Sequence, residues 1–405
     1  MQNLSFTVKK EAKKSRARLG IIEVAHGKIE TPYFVPVATA ATVRGLDQMD
    51  MEELRAQVLL ANTYHLHLRP GDKNVKKLGG LHRFMNWNKP LFTDSGGFQA
   101  FSLGYGMEHN INKLGNIFPE NKKTKTEDIK EKFATINDKG VTFKAHHSGE
   151  IIHLNPKKSI EIQQNLGADI ILAFDECTSP LSSKEYTKTA MERTHRWAIE
   201  SLKFHKKKAK KTKQALYGII QGGEYRDLRD ESTRFITSLD FDGIAIGGSL
   251  GKSKNDMHNI LDWVIPSLPK NKPRHLLGIG DIDDIFIAVE KGIDTFDCVY
   301  PTRIARRGTL LVTPEEGGSL KNKFRLNIGN AKFKLDKKPV DRTCTCSTCR
   351  NYSRAYLNHL YKTKELAYFK LAALHNVHFM LNLMERIREA IRNDSLHKLK
   401  KKWLG

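Results

Sequence analysis

Nowhere in the 405 residues does an uninterrupted apolar run approach the roughly 18 to 20 residues that a membrane-crossing helix needs. The opening stretch, MQNLSFTVKKEAKKSR, lacks the apolar centre of a secretory signal, so a cytoplasmic protein is expected. Cysteine is scarce as well. There are five, an odd number, and three of them crowd between Cys344 and Cys349, which argues for a metal site plus two free thiols over a disulfide framework. Acidic residues are outnumbered, 45 against 68 lysines and arginines, leaving a net charge of +23. A polyanionic partner, nucleic acid first, would use that excess through counterion release. Single basic runs such as His205 to Lys213 can equally be solvated helix ends, so charge alone decides little. The hydrophobic share, 39%, suffices for one large core or two moderate ones.

Eight short apolar, β-branched runs follow one another along the chain: YFVPV (Tyr33 to Val37), VLLANTY (Val58 to Tyr64), LFTD (Leu91 to Asp94), IILAFDE (Ile170 to Glu176), LYGIIQGG (Leu216 to Gly223), GIAIGG (Gly243 to Gly248), HLLGIG (His275 to Gly280) and TFDCVYP (Thr295 to Pro301). Helix-period segments lie between several of them, for example SIEIQQNLGA before the fourth and DIDDIFIAVEKG after the seventh. Alternating β and α over this length predict an α/β protein with a (β/α)8 TIM-type barrel; a doubly wound open sheet is the competing architecture. Asp94, Asp175, Gln221, Gly247 with Gly248, Gly280 and Asp297 all fall at or just after strand ends, where both architectures gather their chemistry. The polar stretch from about 104 to 139 reads as a surface insertion, and VTFKAHHSGEIIHL as a hairpin after the third strand. After Arg307 the chain passes into a cysteine-rich loop and two helix-like segments. The expected division is a catalytic barrel over 1–310 and an appended zinc-binding subdomain over 311–405. No internal repeat appears beyond the βα alternation.

Cys344, Cys346 and Cys349 form C-x-C-x2-C, which lets three thiolates converge on one ion from a tight turn. His375, on a helix that can fold back over this turn, is the preferred fourth ligand, with His378 and His359 as rivals. A closed Cys3His set implies a structural ion. Asp94 and Asp297 each have a plain structural reading as a turn or helix cap. Together with Asp175 they suggest more. One carboxylate can attack C1′ of a sugar, a second can manage the leaving group's proton, and a third can accept the N1–H and exocyclic amine of a guanine-like base. Gln221 and the backbone at Gly248 suit the other base edges, and Phe98 suits the base face.

TDSGGFQ, FDECT, QGG, AIGG, FDCVYPTRIAR and C-x-C-x2-C followed by LHN, in that order between about Thr31 and Ile391, resemble the bacterial-type tRNA-guanine transglycosylases, also called queuine tRNA-ribosyltransferases. The resemblance implies a TIM-like barrel with a zinc subdomain, a homodimer, and a pentosyltransferase that exchanges the wobble guanine of tRNAs with a G-U-N anticodon for a 7-deazaguanine, preQ1 or queuine. It implies Asp297 as nucleophile and Asp94 as general acid/base. Phe98, Asp175, Gln221 and Gly248 would bind the base, and Arg303 and Arg306 the anticodon. Cys344, Cys346, Cys349 and His375 would hold one structural Zn2+. Two departures stand out. After AIGG, many relatives continue L-A-V-G-E where this chain has Ser249, Leu250, Gly251 and Lys252, in the loop expected to read the 7-substituent; and the insertion near 104–139 is longer than usual. No archaeal-style RNA-binding extension follows the cysteine segment, an expectation against exchange deep in the tRNA body. A non-catalytic tRNA-binding subunit of the same fold is the alternative, disfavoured by retention of Asp94 and Asp297. A retaining glycosidase is disfavoured by the charge, the cysteine module and the paired arginines.

Overall fold

The computed structural model describes residues 3–98, 134–144, 149–207, 213–248 and 250–405. Within them the eight apolar runs become eight strands: β1 (Tyr33–Ala38), β2 (Leu59–Ala61), β3 (Leu91–Thr93), β4 (Ile170–Leu172), β5 (Ala215–Ile220), β6 (Gly243–Ile246), β7 (Arg274–Leu276) and β8 (Thr295–Cys298). Every strand pairs in parallel with its neighbours in sequence, and β8 returns to β1, with Phe296 opposite Phe34. The order never reverses, which rules out the doubly wound sheet and makes this a closed (β/α)8 barrel. The ladders stop short of the apolar runs. Residues such as Asn62, Asp94 and Asp175 leave the sheet and turn over the barrel mouth, where polar side chains take up the backbone groups that the ladder releases.

The two predicted helices lie where expected. Pro156–Leu166 is opened by Asn155 accepting from the Lys158 amide and closed by Gly167, and Ile282–Lys291 is closed by Gly292, both glycines in the left-handed region. The hairpin after the third barrel strand is present as Gly140–Lys144 and Ile151–Leu154, joined by a third antiparallel strand, Ala134–Asn137. Residues 104–133 of the polar insertion lie outside the described residues.

An antiparallel meander that the sequence reading did not anticipate, Ser5–Glu11, Arg18–Val24 and Gly27–Thr31, precedes β1. Buried Arg18 anchors it through an ion pair of 2.6 Å with Asp294, just before β8. At the other end of the chain four helices form in place of the two expected: Ser347–Asn351, Arg354–Lys362, Leu366–Arg392 and Leu396–Leu404. The longest packs against β1 and against the helix Tyr300–Ala305, and Arg388 donates to the Pro32 carbonyl at 2.9 Å. The C-terminal segment is thereby clamped to the barrel wall.

Candidate active site

Asp94, Asp175, Asp297, Phe98, Gly248, Arg303 and Arg306 all line one cavity of about 550 Å³ at the C-terminal mouth of the barrel, a size that suits a small ligand. Asp94 is aimed by the element before it. Asn62 donates to one carboxylate oxygen at 2.5 Å, and the Thr63 amide, at the start of the helix Thr63–Leu68, donates to the other at 2.7 Å. Asp175 is buried and doubly held, by the Ser95 hydroxyl on Oδ1 and by Gln221 Nε2 on Oδ2, each at 2.7 Å. The Gln221 amide oxygen is buried without a hydrogen-bond partner among the described residues, a state that a ligand donor would relieve.

Two glycines make this packing possible. A Cβ on Gly97 would lie 2.3 Å from the Asp175 carbonyl, and Gly248, at φ +79°, would put one 2.0 Å from Gln221 Oε1. Behind them, fully buried Arg229 donates to the carbonyls of Ile220, Gly223 and Gly247, its guanidinium pushed down to about 9 by loss of water. It fixes the loops carrying Gln221 and Gly248. Gly280 lies against Cys298 rather than in the cavity lining. In the loop after Gly248, Lys252 pairs with Glu224 at 2.8 Å and Ser253 caps the helix Lys254–Val264; Ser249 lies outside the described residues.

Asp297, next to last in β8, has a mostly buried side chain that accepts from the Gly278 amide at 3.0 Å. His275 Nε2 sits 3.2 Å from the same oxygen. On the other side of Asp297, Arg44, Arg303 and Arg306 face the cavity. Burial lowers the Arg306 guanidinium, and the like charges of Arg44, Arg303 and Arg307 add to the effect. An incoming phosphate would remove that repulsion.

The cysteine turn meets the long C-terminal helix. His375 Nδ1 stands 3.3 Å from Cys349 Sγ and 3.7 Å from those of Cys344 and Cys346. These are the separations that tetrahedral bonds of about 2.0 to 2.3 Å produce. His375 Nε2 reaches the Leu311 carbonyl at 2.7 Å, which orients the ring and commits Nδ1 to the sulfurs. The four side chains can hold a metal ion. Of the rival histidines, His378 touches one cysteine of the three, Cys344 at 3.3 Å, with its other nitrogen on the Thr345 hydroxyl, and His359 is exposed on another helix. Two other clusters fit an ion poorly. The His26 and His82 rings stack 3.6 Å apart at 19° over Asp169, so their in-plane lone pairs do not converge, and Lys254 already neutralises Asp281, Asp283 and Asp284.

Sequence reasoning missed Asn62, Ser95, Arg44 and His275. Asn62 follows β2 as Asp94 follows β3, so the strand-end rule applied evenly finds it. His275 carries no such signal, because it lies within β7 and points into the barrel.

A closed parallel barrel with carboxylates at its mouth, and a Cys3His set that can hold a metal ion clamped to its wall, is the arrangement of a barrel enzyme. The sequence model of one family, described as queuine tRNA-ribosyltransferase, matches residues 13–405. The chain is 59% identical over 395 residues to a putative queuine tRNA-ribosyltransferase of Archaeoglobus fulgidus, spanning 96% of this chain and 97% of that one. It is 46% identical over 408 residues to the queuine tRNA-ribosyltransferase of Herpetosiphon aurantiacus (100% and 93%) and 44% over 396 residues to that of Bacillus subtilis (98% and 94%). The chain belongs to the queuine tRNA-ribosyltransferase family, the tRNA-guanine transglycosylases, and is a pentosyltransferase.

Proposed function

We propose that the chain exchanges the wobble guanine of tRNAs with a G-U-N anticodon for a 7-deazaguanine, preQ1 first and queuine second, through a covalent ribosyl-Asp297 intermediate. The observation that carries this reading is that Asp94 and Asp297 open into one cavity from separate strands, with Asp175 and Gln221 deeper in the same barrel. Asp297 attacks C1′, the C1′–N9 bond breaks, and Asp94 supplies the proton to the departing guanine. The incoming base then gives its N9 proton to Asp94 as N9 attacks C1′ and the ester to Asp297 breaks. Two displacements retain configuration. Asp175 accepts from the base's N1–H and amine, Gln221 and the Gly248 backbone address its other edges, Phe98 stacks on its face, and Arg303 and Arg306 hold anticodon phosphates.

Residues 1–310 serve as the catalytic barrel and 311–405 as a zinc subdomain. Cys344, Cys346, Cys349 and His375 would bind one Zn2+, whose contribution is to fold that subdomain. A homodimer is supported by Tyr352 and Tyr356, exposed on this subdomain and stacked 5.4 Å apart; a Tyr356→Asp variant that sediments like the unaltered protein would count against that face.

The test is incorporation of labelled guanine into unmodified tRNA with a G-U-N anticodon, with preQ1 and queuine as competitors. Incorporation is expected and the stronger competitor identifies the base. Tight tRNA binding with no incorporation would favour a non-catalytic role.

A further inference from the structure

His275 is an imidazole in contact with Asp297, one of the carboxylates of the mouth. It is fully buried within β7, its ring stacked on Phe92 at 5.3 Å and 25°. Nδ1 is engaged by the Thr295 hydroxyl at 2.9 Å. The opposite nitrogen, Nε2, lies 3.2 Å from Asp297 Oδ1 but off the line of a hydrogen bond, and has no hydrogen-bond partner among the described residues. A polar atom left unpartnered in a barrel core costs stability, and its retention beside one carboxylate calls for an explanation.

We propose that His275 is a positioning residue for Asp297, a hydrogen-bond donor that takes up the carboxylate when it leaves the sugar. The inference rests on Asp297 being the nucleophile. The ester halves the negative charge problem: while Asp297 is bonded to C1′ it is neutral, and when the incoming base's N9 forms its bond to C1′ and the C1′–O bond breaks, the electron pair returns to the carboxylate. A small turn of that side chain brings Oδ1 into line with Nε2–H, alongside the Gly278 amide that already donates to it. No proton is transferred: the Nε2 hydrogen is shared with the carboxylate and kept, while Nδ1 accepts from the Thr295 hydroxyl. A donor to the free carboxylate favours it over the ester, so its loss shifts the equilibrium toward the adduct and slows release from it, while the first attack, made by the same carboxylate, is not slowed.

Stalled with tRNA and no free base, the enzyme forms an adduct that a denaturing gel resolves, and adding labelled guanine chases it. His275→Phe keeps the stack on Phe92 and removes the donor. The expected result is an adduct formed at an undiminished rate, present at a higher steady-state fraction, and chased about 10- to 100-fold more slowly. His275→Gln places an amide donor near the Nε2 position and should restore the chase, whereas His275→Asn, whose amide lies near the Nδ1 position, should not. A merely structural defect would slow formation and chase together. If His275→Phe folds poorly, the Gln and Asn variants, both polar, still decide the matter. Equal chase in Gln and Asn, or an unaltered chase in Phe, would overturn the proposal. Absence of any adduct with the unaltered enzyme, together with exchange by Asp297→Asn, would overturn the nucleophile assignment instead.

Discussion

The side of the cavity proposed to read the base is built around one absent side chain. At Gly248 the left-handed backbone and the 2.0 Å gap to Gln221 Oε1 both exclude a Cβ. Gly248→Ala therefore has to displace Gln221, which in turn holds Asp175. KM for the free base should rise by about tenfold or more, beyond roughly 1 to 2 kcal/mol of backbone strain in stability, while tRNA affinity holds. Steady-state kinetics with labelled guanine checks this, and an unchanged KM would detach Gly248 from base binding. At Asp297 the split runs the other way. Asp297→Ala should abolish exchange, a loss of at least about 10³-fold, yet leave tRNA binding largely intact, because Arg303 and Arg306 remain. A fully active variant would end the nucleophile assignment. The same residues show what a sequence can disclose. That Asp94, Asp175 and Asp297 meet at one mouth was legible, because strand ends can be placed from a one-dimensional alternation. His275 was not, because its meaning comes from a neighbour across the barrel, β8, that only closure brings within 3.2 Å.

Among the elements, the eight barrel strands were legible because runs buried on both faces are continuously apolar. The meander before β1 was not. Its first strand alternates between intermediate and exposed positions, so no apolar run marks it, and Arg18 reads as surface charge until Asp294 is placed beside it. The cysteine turn was legible as a set able to hold a metal ion, and His375 as its preferred fourth member, but what separates it from His378 and His359 was not, since that turns on Nε2 of His375 finding the Leu311 carbonyl 64 residues away. That bond has a consequence for stability. The helix Leu366–Arg392 supplies His375 to the metal set and also packs on β1, so the set and the barrel wall share one element. Cys346→Ser or chelation should lower the melting temperature and release zinc in a one-to-one ratio, with protease cleavage appearing first after residue 311. Metal analysis finding no stoichiometric zinc would remove the claim.

Over the whole molecule the +23 charge is not spread evenly. Many lysines are spent on local carboxylates: Lys10 on Asp394, Lys206 on Asp240, Lys252 on Glu224, Lys400 on Glu290. The stretch 321–338 differs. Lys321, Lys323, Lys332, Lys334, Lys337 and Lys338 are all exposed there and form no ion pair with a described residue, while its only carboxylate, Asp336, is committed to Arg354. The stretch starts beside the cavity, since Arg325 bonds the hydroxyl of Tyr300, a lining residue. Cations without an ion-pair partner among the described residues, on a stretch that starts beside the cavity, suit the phosphates of the adjoining tRNA stem. Each phosphate neutralised adds to the slope of log affinity against log salt, by about 0.7 to 0.9 per contact. tRNA binding should therefore weaken steeply between low and physiological salt. Lys337→Gln with Lys338→Gln should make that slope shallower by about one to two units while leaving the rate of guanine incorporation at saturating tRNA unchanged. An unaltered slope would assign the steepness to Arg44, Arg303 and Arg306 alone, and confine the RNA contact to the mouth of the barrel.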